Sequence, residues 1–208
     1  MGFEESAHVR LGRYREEADR SLGLMREAEE AARRFSGRLF GGLEYVATLA
    51  RESGFEVVTA REKEAFTLRV MAGPGAEARV AFGLLEGAAA ETDEDLAHEE
   101  LSRYSFEPAG YSGRILGFSE QVGEEPCQVF AVYRDGVWKT RGLLVEKARG
   151  RVEDPDDVLN GFCLRMLGRL IDLAAPTGGS GRRWAAGPYT LTDLLEGKRP
   201  PTETRWFR

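Results

Sequence analysis

Histidine, cysteine and lysine are all scarce in this chain of 208 residues: two, two and four. Nucleophilic catalysis needs a base beside the nucleophile, and His8 and His98 are the only imidazoles on offer. His8 lies near the start, so a cysteine–histidine site is not favoured. Cys127 and Cys163 each sit inside an apolar periodic segment. Two isolated thiols do not make a disulfide framework, and a reducing, cytoplasmic setting is the expectation. No apolar run approaches the roughly 18 residues that span a bilayer, so no membrane association is expected. Met1–Arg10 carries charges of both signs and no apolar core, which excludes a secretory leader from the reading. No internal repeat is visible.

The composition is that of a folded, slightly charge-rich chain, with 42% hydrophobic and 31% charged residues. The formal charge of -6 argues against a protein that coats nucleic acid with its whole surface. Lys63, Lys139, Lys147 and Lys198 aside, the cations are arginines.

Residues 5–53 read as helix. Leu11, Tyr14, Ala18, Leu22, Met25, Ala28, Ala32, Phe35, Leu39, Leu43, Val46 and Leu49 recur in threes and fours, one apolar stripe. Gly37 and Gly41–Gly42 interrupt it, each costing about 1 kcal/mol against Ala. A break or kink is therefore expected near Ser36–Gly42. Gly54 stands where a left-handed C-terminal cap belongs.

The middle of the chain alternates. Phe66, Leu68 and Val70 fall on one side of a strand over 64–72, and Val80, Phe82 and Leu84 on one side of another over 78–85. With a strand at 55–59 they form a first antiparallel half. Strands over 114–121, 127–134 and 137–146 form the second. Asp135-Gly136 predicts a two-residue turn with Arg134 opposite Val137 and Val132 opposite Lys139. In that register Val129, Ala131, Tyr133, Trp138 and Leu144 share one face, and Phe130 and Val132 share the other with Lys139 and Arg141. A final helix starts after Asp154, its N-cap, with Pro155 at the first position. Val158, Leu159, Phe162, Cys163, Met166, Leu167, Leu170 and Ile171 give it a wide apolar face.

The expected fold is α+β: a mostly antiparallel sheet of about six strands in two meander halves. A long N-terminal helical segment (1–54) and a C-terminal amphipathic helix flank the sheet within 55–175. A Gly-rich linker and an irregular tail follow (176–208), all as one domain overall.

Several motifs dissolve in context. Gly73-x-Gly75-x-x-Ala78 matches a dinucleotide fingerprint as text, but a strand follows it where that fingerprint needs a helix. Gly178–Arg183 follows a helix and lacks the Gly-Lys-Ser/Thr ending, so it reads as a linker. His98 beside Asp93, Glu94, Asp95, Glu99 and Glu100 lacks metalloprotease spacing and reads as a solvated acidic face. No cofactor and no metal site is expected.

Two surfaces stand out instead. The long N-terminal stripe exceeds what a domain of this size covers, and a homodimer through it is the preferred expectation. The tail mixes Arg182, Arg183, Trp184, Tyr189, Arg205, Trp206 and Phe207, residue types suited to a protein partner or to single-stranded nucleic acid. Nucleic acid is the less favoured of the two. A small-ligand-binding domain, or an enzyme with an unfamiliar site, using a pocket lined by Tyr133, Trp138 and Phe162 is a third reading. On balance the sequence points to a non-enzymatic interaction or adaptor module that self-associates, without naming its partner.

Overall fold

The computed structural model describes residues 2–73, 76–90, 111–119 and 125–174. Helix α1 runs Phe3–Glu52. Seven strands follow: β1 Glu56–Arg61, β2 Ala65–Gly73, β3 Ala76–Ala90, β4 Tyr111–Phe118, β5 Gln128–Tyr133, β6 Val137–Gly142 and β7 Lys147–Arg151. Helix α2, Asp156–Ala174, is the last element among the described residues. The strands form one antiparallel meander in the order β1 to β7. The α+β architecture is thus as expected, with seven strands in a single curled sheet instead of six in two halves.

Both helices pack on the same face of the sheet. Phe66 pairs with Phe82, Leu68 with Val80 and Val70 with Ala78. Leu84 pairs with Ile115, Ile115 with Phe130 and Val132 with Trp138. All of these side chains are buried. Against them α1 lays Ala28, Ala32, Phe35, Leu39, Leu43, Val46 and Ala50, and α2 lays Leu159, Phe162, Met166, Leu167 and Leu170. The stripe of α1 ends on Ala50, and Leu49 is exposed. Period three-to-four on the helices and period two on the strands therefore meet in one apolar layer.

The anticipated break in α1 does not occur: the helix is continuous for 50 residues, about 75 Å. The reason is tertiary. A Cβ on Gly42 would lie 2.9 Å from the sulfur of Cys163 and 3.1 Å from Oδ1 of Asn160. Gly42 is thus a point of close approach between α1 and α2, and burial of the stripe on both sides of it offsets the intrinsic cost of glycine. On β4 a Cβ at Gly113 would fall 2.4 Å from that of Ala32, so α1 rests directly on that strand. The helix ends as the sequence suggests: Gly54 has φ +89, and the Phe55 N–H reaches the Ala50 carbonyl.

The β5–β6 hairpin is one residue longer in its loop than expected. Val132, not Arg134, sets the register by pairing with Trp138, and Ala131 pairs with Lys139. The loop is Arg134-Asp135-Gly136, with Gly136 at φ +78 and its N–H on the Tyr133 carbonyl. This is a three-residue hairpin closed by a left-handed residue. A shift of one residue turns every side chain of the following strand over. Trp138 thereby joins Phe130 and Val132 on the helix-facing side, while Lys139 and Arg141 join Ala131 and Tyr133 on the outer side.

Strand β6 stops at Gly142 instead of Glu146, and β7, unanticipated, begins at Lys147. Buried Gln128 explains the bend. Its amide nitrogen donates to Thr140 Oγ1 (2.7 Å) and the Val145 carbonyl (3.0 Å), and its oxygen accepts the N–H groups of Leu144 and Val145 (both 3.1 Å). One side chain satisfies a whole connection. Asp154 does not cap α2: its carboxylate accepts the Arg151 N–H at 2.7 Å and closes the turn before the helix. Arg38 ties the two helices together. It donates to the carbonyls of Val152 and Asp154 and pairs with Asp156 at 2.5 Å.

Candidate interaction surfaces

The first surface is the N-terminal half of α1. The helix becomes buried at Ala28, and before that point its stripe faces outward. Leu11 is 62% exposed, Tyr14 64% and Leu22 51%. Ala7, Leu11, Tyr14, Ala18 and Leu22 continue, turn by turn, the row that is buried from Ala28 onward. Their neighbours are charged in blocks: Glu4 and Glu5, then Arg10, Arg13 and Arg15, then Glu16, Glu17 and Asp19, then Arg20 and Arg26.

The second surface is the outer face of the sheet, and the sequence reading missed it. On β4 to β7 the outward residues include Arg114, Lys139, Arg141, Lys147 and Arg149, following from the pairings Arg114↔Ala131, Ala131↔Lys139, Lys139↔Arg149 and Arg141↔Lys147. No outward position of these four strands carries a carboxylate. Arg151 also lies on this side, donating to the Asp135 carbonyl at 3.1 Å and pairing with Glu153 at 3.8 Å, and Arg114, Lys139, Arg141 and Arg149 are engaged by partners as well. The signal was present in the sequence as cations two apart, Lys139–Arg141 and Lys147–Arg149. It was unreadable without β7 and without the hairpin's true phase.

Of the three proposed pocket residues, Trp138 and Phe162 are brought together and Tyr133 is not. Trp138 and Phe162 are both buried in an aromatic cluster, their ring centroids 5.2 Å apart. Phe35 stacks on Trp138 at 5.0 Å and Phe130 meets Phe162 edge-on at 6.0 Å. Tyr133 lies on the opposite face of the sheet, for the register reason given above. The tail residues Arg182, Arg183, Trp184, Tyr189, Arg205, Trp206 and Phe207 lie outside the described residues. So do His98 and its acidic neighbours.

Both cysteines are free and buried. Burial pushes the Cys127 thiol up to about 11 and the Cys163 thiol up to about 12, with a backbone hydrogen bond opposing the rise in each. Both are protonated near neutrality and behave as small hydrophobes. Among the described residues no helix is long and apolar enough to cross a membrane, and no three His, Cys, Asp or Glu side chains are grouped to hold a metal ion. No protein-family model, no curated protein and no solved structure matches the chain.

Proposed function

We propose that the chain is a non-enzymatic interaction module that self-associates, and that the N-terminal half of α1 is the contact. One observation carries this reading: an apolar stripe that is buried from Ala28 to Ala50 continues, exposed, back through Leu22, Tyr14 and Leu11. Exposed leucines repeated along one helix face mark a surface that something covers. A second copy fits it. Laid antiparallel and centred between Tyr14 and Arg15, two such helices set Ala7 against Leu22 and Leu11 against Ala18, small residues facing large ones. The same placement brings Arg10 beside Asp19 and Arg13 beside Glu16, and lets Arg15 reach the ring of Tyr14. A parallel pair would instead bring Arg10 against Arg15. The antiparallel pair is isologous, as a two-fold dimer requires. A reducing, cytoplasmic setting agrees with two unpaired thiols.

Sedimentation velocity across a hundredfold range of concentration tests the proposal. The apparent mass is expected to rise from 23.1 kDa towards twice that value. Leu11→Glu/Leu22→Glu should stay monomeric with an unchanged melting temperature, because both side chains are solvent-exposed. A wild-type chain that remains monomeric throughout, or a variant that still dimerises, would remove the proposal.

A further inference from the structure

We propose that the first turn of α1 docks on the sheet of a second copy: Phe3 of each chain packs against the partner's Met25 and the partner's Tyr111, at the rim where α1 leaves the sheet. This rests on the antiparallel pairing proposed above and adds a contact that the helix stripe alone does not supply. Phe3 is 88% exposed, more than any other large apolar side chain among the described residues. The length of α1 brings it to a partner. The part of the helix before its first buried residue, Phe3 to Glu27, is roughly 37 Å long at 1.5 Å per residue. A pair centred between Tyr14 and Arg15 is centred at the middle of this overhang. Pairing therefore uses the whole overhang of each copy, and each helix starts level with the partner's Arg26, just before the partner's Ala28 meets the sheet.

Direction agrees with length. Phe3 and Ala28 are separated by almost seven turns at ~3.6 residues each, so their side chains leave the helix in nearly the same direction. Ala28 is fully buried where α1 rests on β4, its carbonyl oxygen 2.8 Å from a Cβ built on Gly113. A two-fold axis normal to the paired helices exchanges the copies and keeps each side of the pair on its own side. The partner's Phe3 consequently points to the side on which this copy's sheet lies. Half-buried Met25, one turn before Ala28, faces that side too. Tyr111 completes the seat. It opens β4 two residues before Gly113, on the same helix-facing side, and is half-buried. The ion pair of Glu27 with Arg134, at 3.9 Å, marks this end of the sheet as the one over which α1 departs, because Arg134 follows Tyr133 and Tyr133 lies opposite Ser112. A phenylalanine ring between a thioether and a second ring is a favourable contact, and the symmetry makes it twice.

Photo-cross-linking tests this. The full chain with p-benzoylphenylalanine at position 3 is mixed with isotope-labelled wild type at a concentration where the mass has doubled. The labelled peptide joined to position 3 should contain Met25 or Tyr111. Phe3→Ala should weaken dimerisation at least tenfold, since the ring is buried twice per dimer. Its melting temperature at dilution should be unchanged, because the ring is exposed in the single chain. Val9→Ala, 50% exposed and half a turn away from the stripe, should leave dimerisation within twofold. A dimer whose adducts fall elsewhere on the labelled chain, or whose affinity is untouched by Phe3→Ala, overturns this contact and leaves self-association standing. Adducts confined to residues 3–14 of the labelled chain would mean parallel helices and overturn the antiparallel pairing as well. A wild-type chain that stays monomeric removes both.

Discussion

Cys127 and Cys163 are small side chains with a measurable thermodynamic signature. Each thiol has a folded-state pKa above its unfolded value of 9.0 because burial disfavours the thiolate. The folded chain therefore holds these protons more tightly than the unfolded chain does. The stability this represents is complete below pH 9, and it falls as pH rises through about 11 for Cys127 and about 12 for Cys163. Each thiol contributes a slope of about 1 kcal/mol per pH unit in its own window. Urea unfolding at pH 8 and pH 10.5 should therefore show a smaller loss for Cys127→Ala/Cys163→Ala than for the wild type, even though the variant is less stable at pH 8. Equal losses would mean that the thiols are as solvated folded as unfolded. The same scale holds the clearest misreading. Asp135-Gly136 is a strong turn signal, but the dipeptide alone does not say whether one more residue belongs to the loop. Gly136 carries the left-handed conformation in either case, and only the packing of Trp138 against Phe35 and Phe162 fixes the phase.

At the scale of elements, α1 shows why local propensity and tertiary packing part company. Three glycines within six residues argue for a break when each is assessed as an isolated helical residue. Their roles differ once α2 and the sheet are present. Nothing lies within 4 Å of a Cβ added at Gly37, whereas one added at Gly42 strikes Cys163 and Asn160. Gly37→Ala should stabilise the chain by about 0.5–1 kcal/mol by reducing the freedom of the unfolded state. Gly42→Ala should destabilise it by about 1–3 kcal/mol, since either helix has to shift to admit the methyl group. Thermal melts of the two variants decide this, and the account fails if they move in the same direction. The strands were legible where the alternation was uninterrupted: Phe66, Leu68 and Val70 against Val80, Phe82 and Leu84 appear in the sheet as the sequence places them. Strand β7 was not legible, because Lys-Ala-Arg-Gly-Arg carries no apolar alternation and pairs as an edge strand rich in cations. The bend before it depends on Gln128, a polar residue that reads as an ordinary strand position until its four hydrogen bonds are seen.

For the whole molecule, both described helices lie on one face of the sheet, and the N-terminal half of α1 runs on beyond it with its stripe exposed. The stripe of α1 was readable from its period alone, because a helix repeats its face irrespective of what covers it. Where the cover ends, at Ala28, was not readable, since that depends on where Gly113 of β4 admits the helix backbone. The cationic outer face required both the hairpin phase and the seventh strand, two facts that period cannot supply.

The antiparallel pairing of α1 is most directly tested by mixing Ala7→Cys chains with Leu22→Cys chains under mild oxidation, with the native thiols protected by burial. A disulfide joining position 7 of one copy to position 22 of the other, formed far faster than either like-with-like product, is the expected result. A dominant position 7 to position 7 product, or no cross-link at concentrations where the mass has doubled, would contradict the pairing.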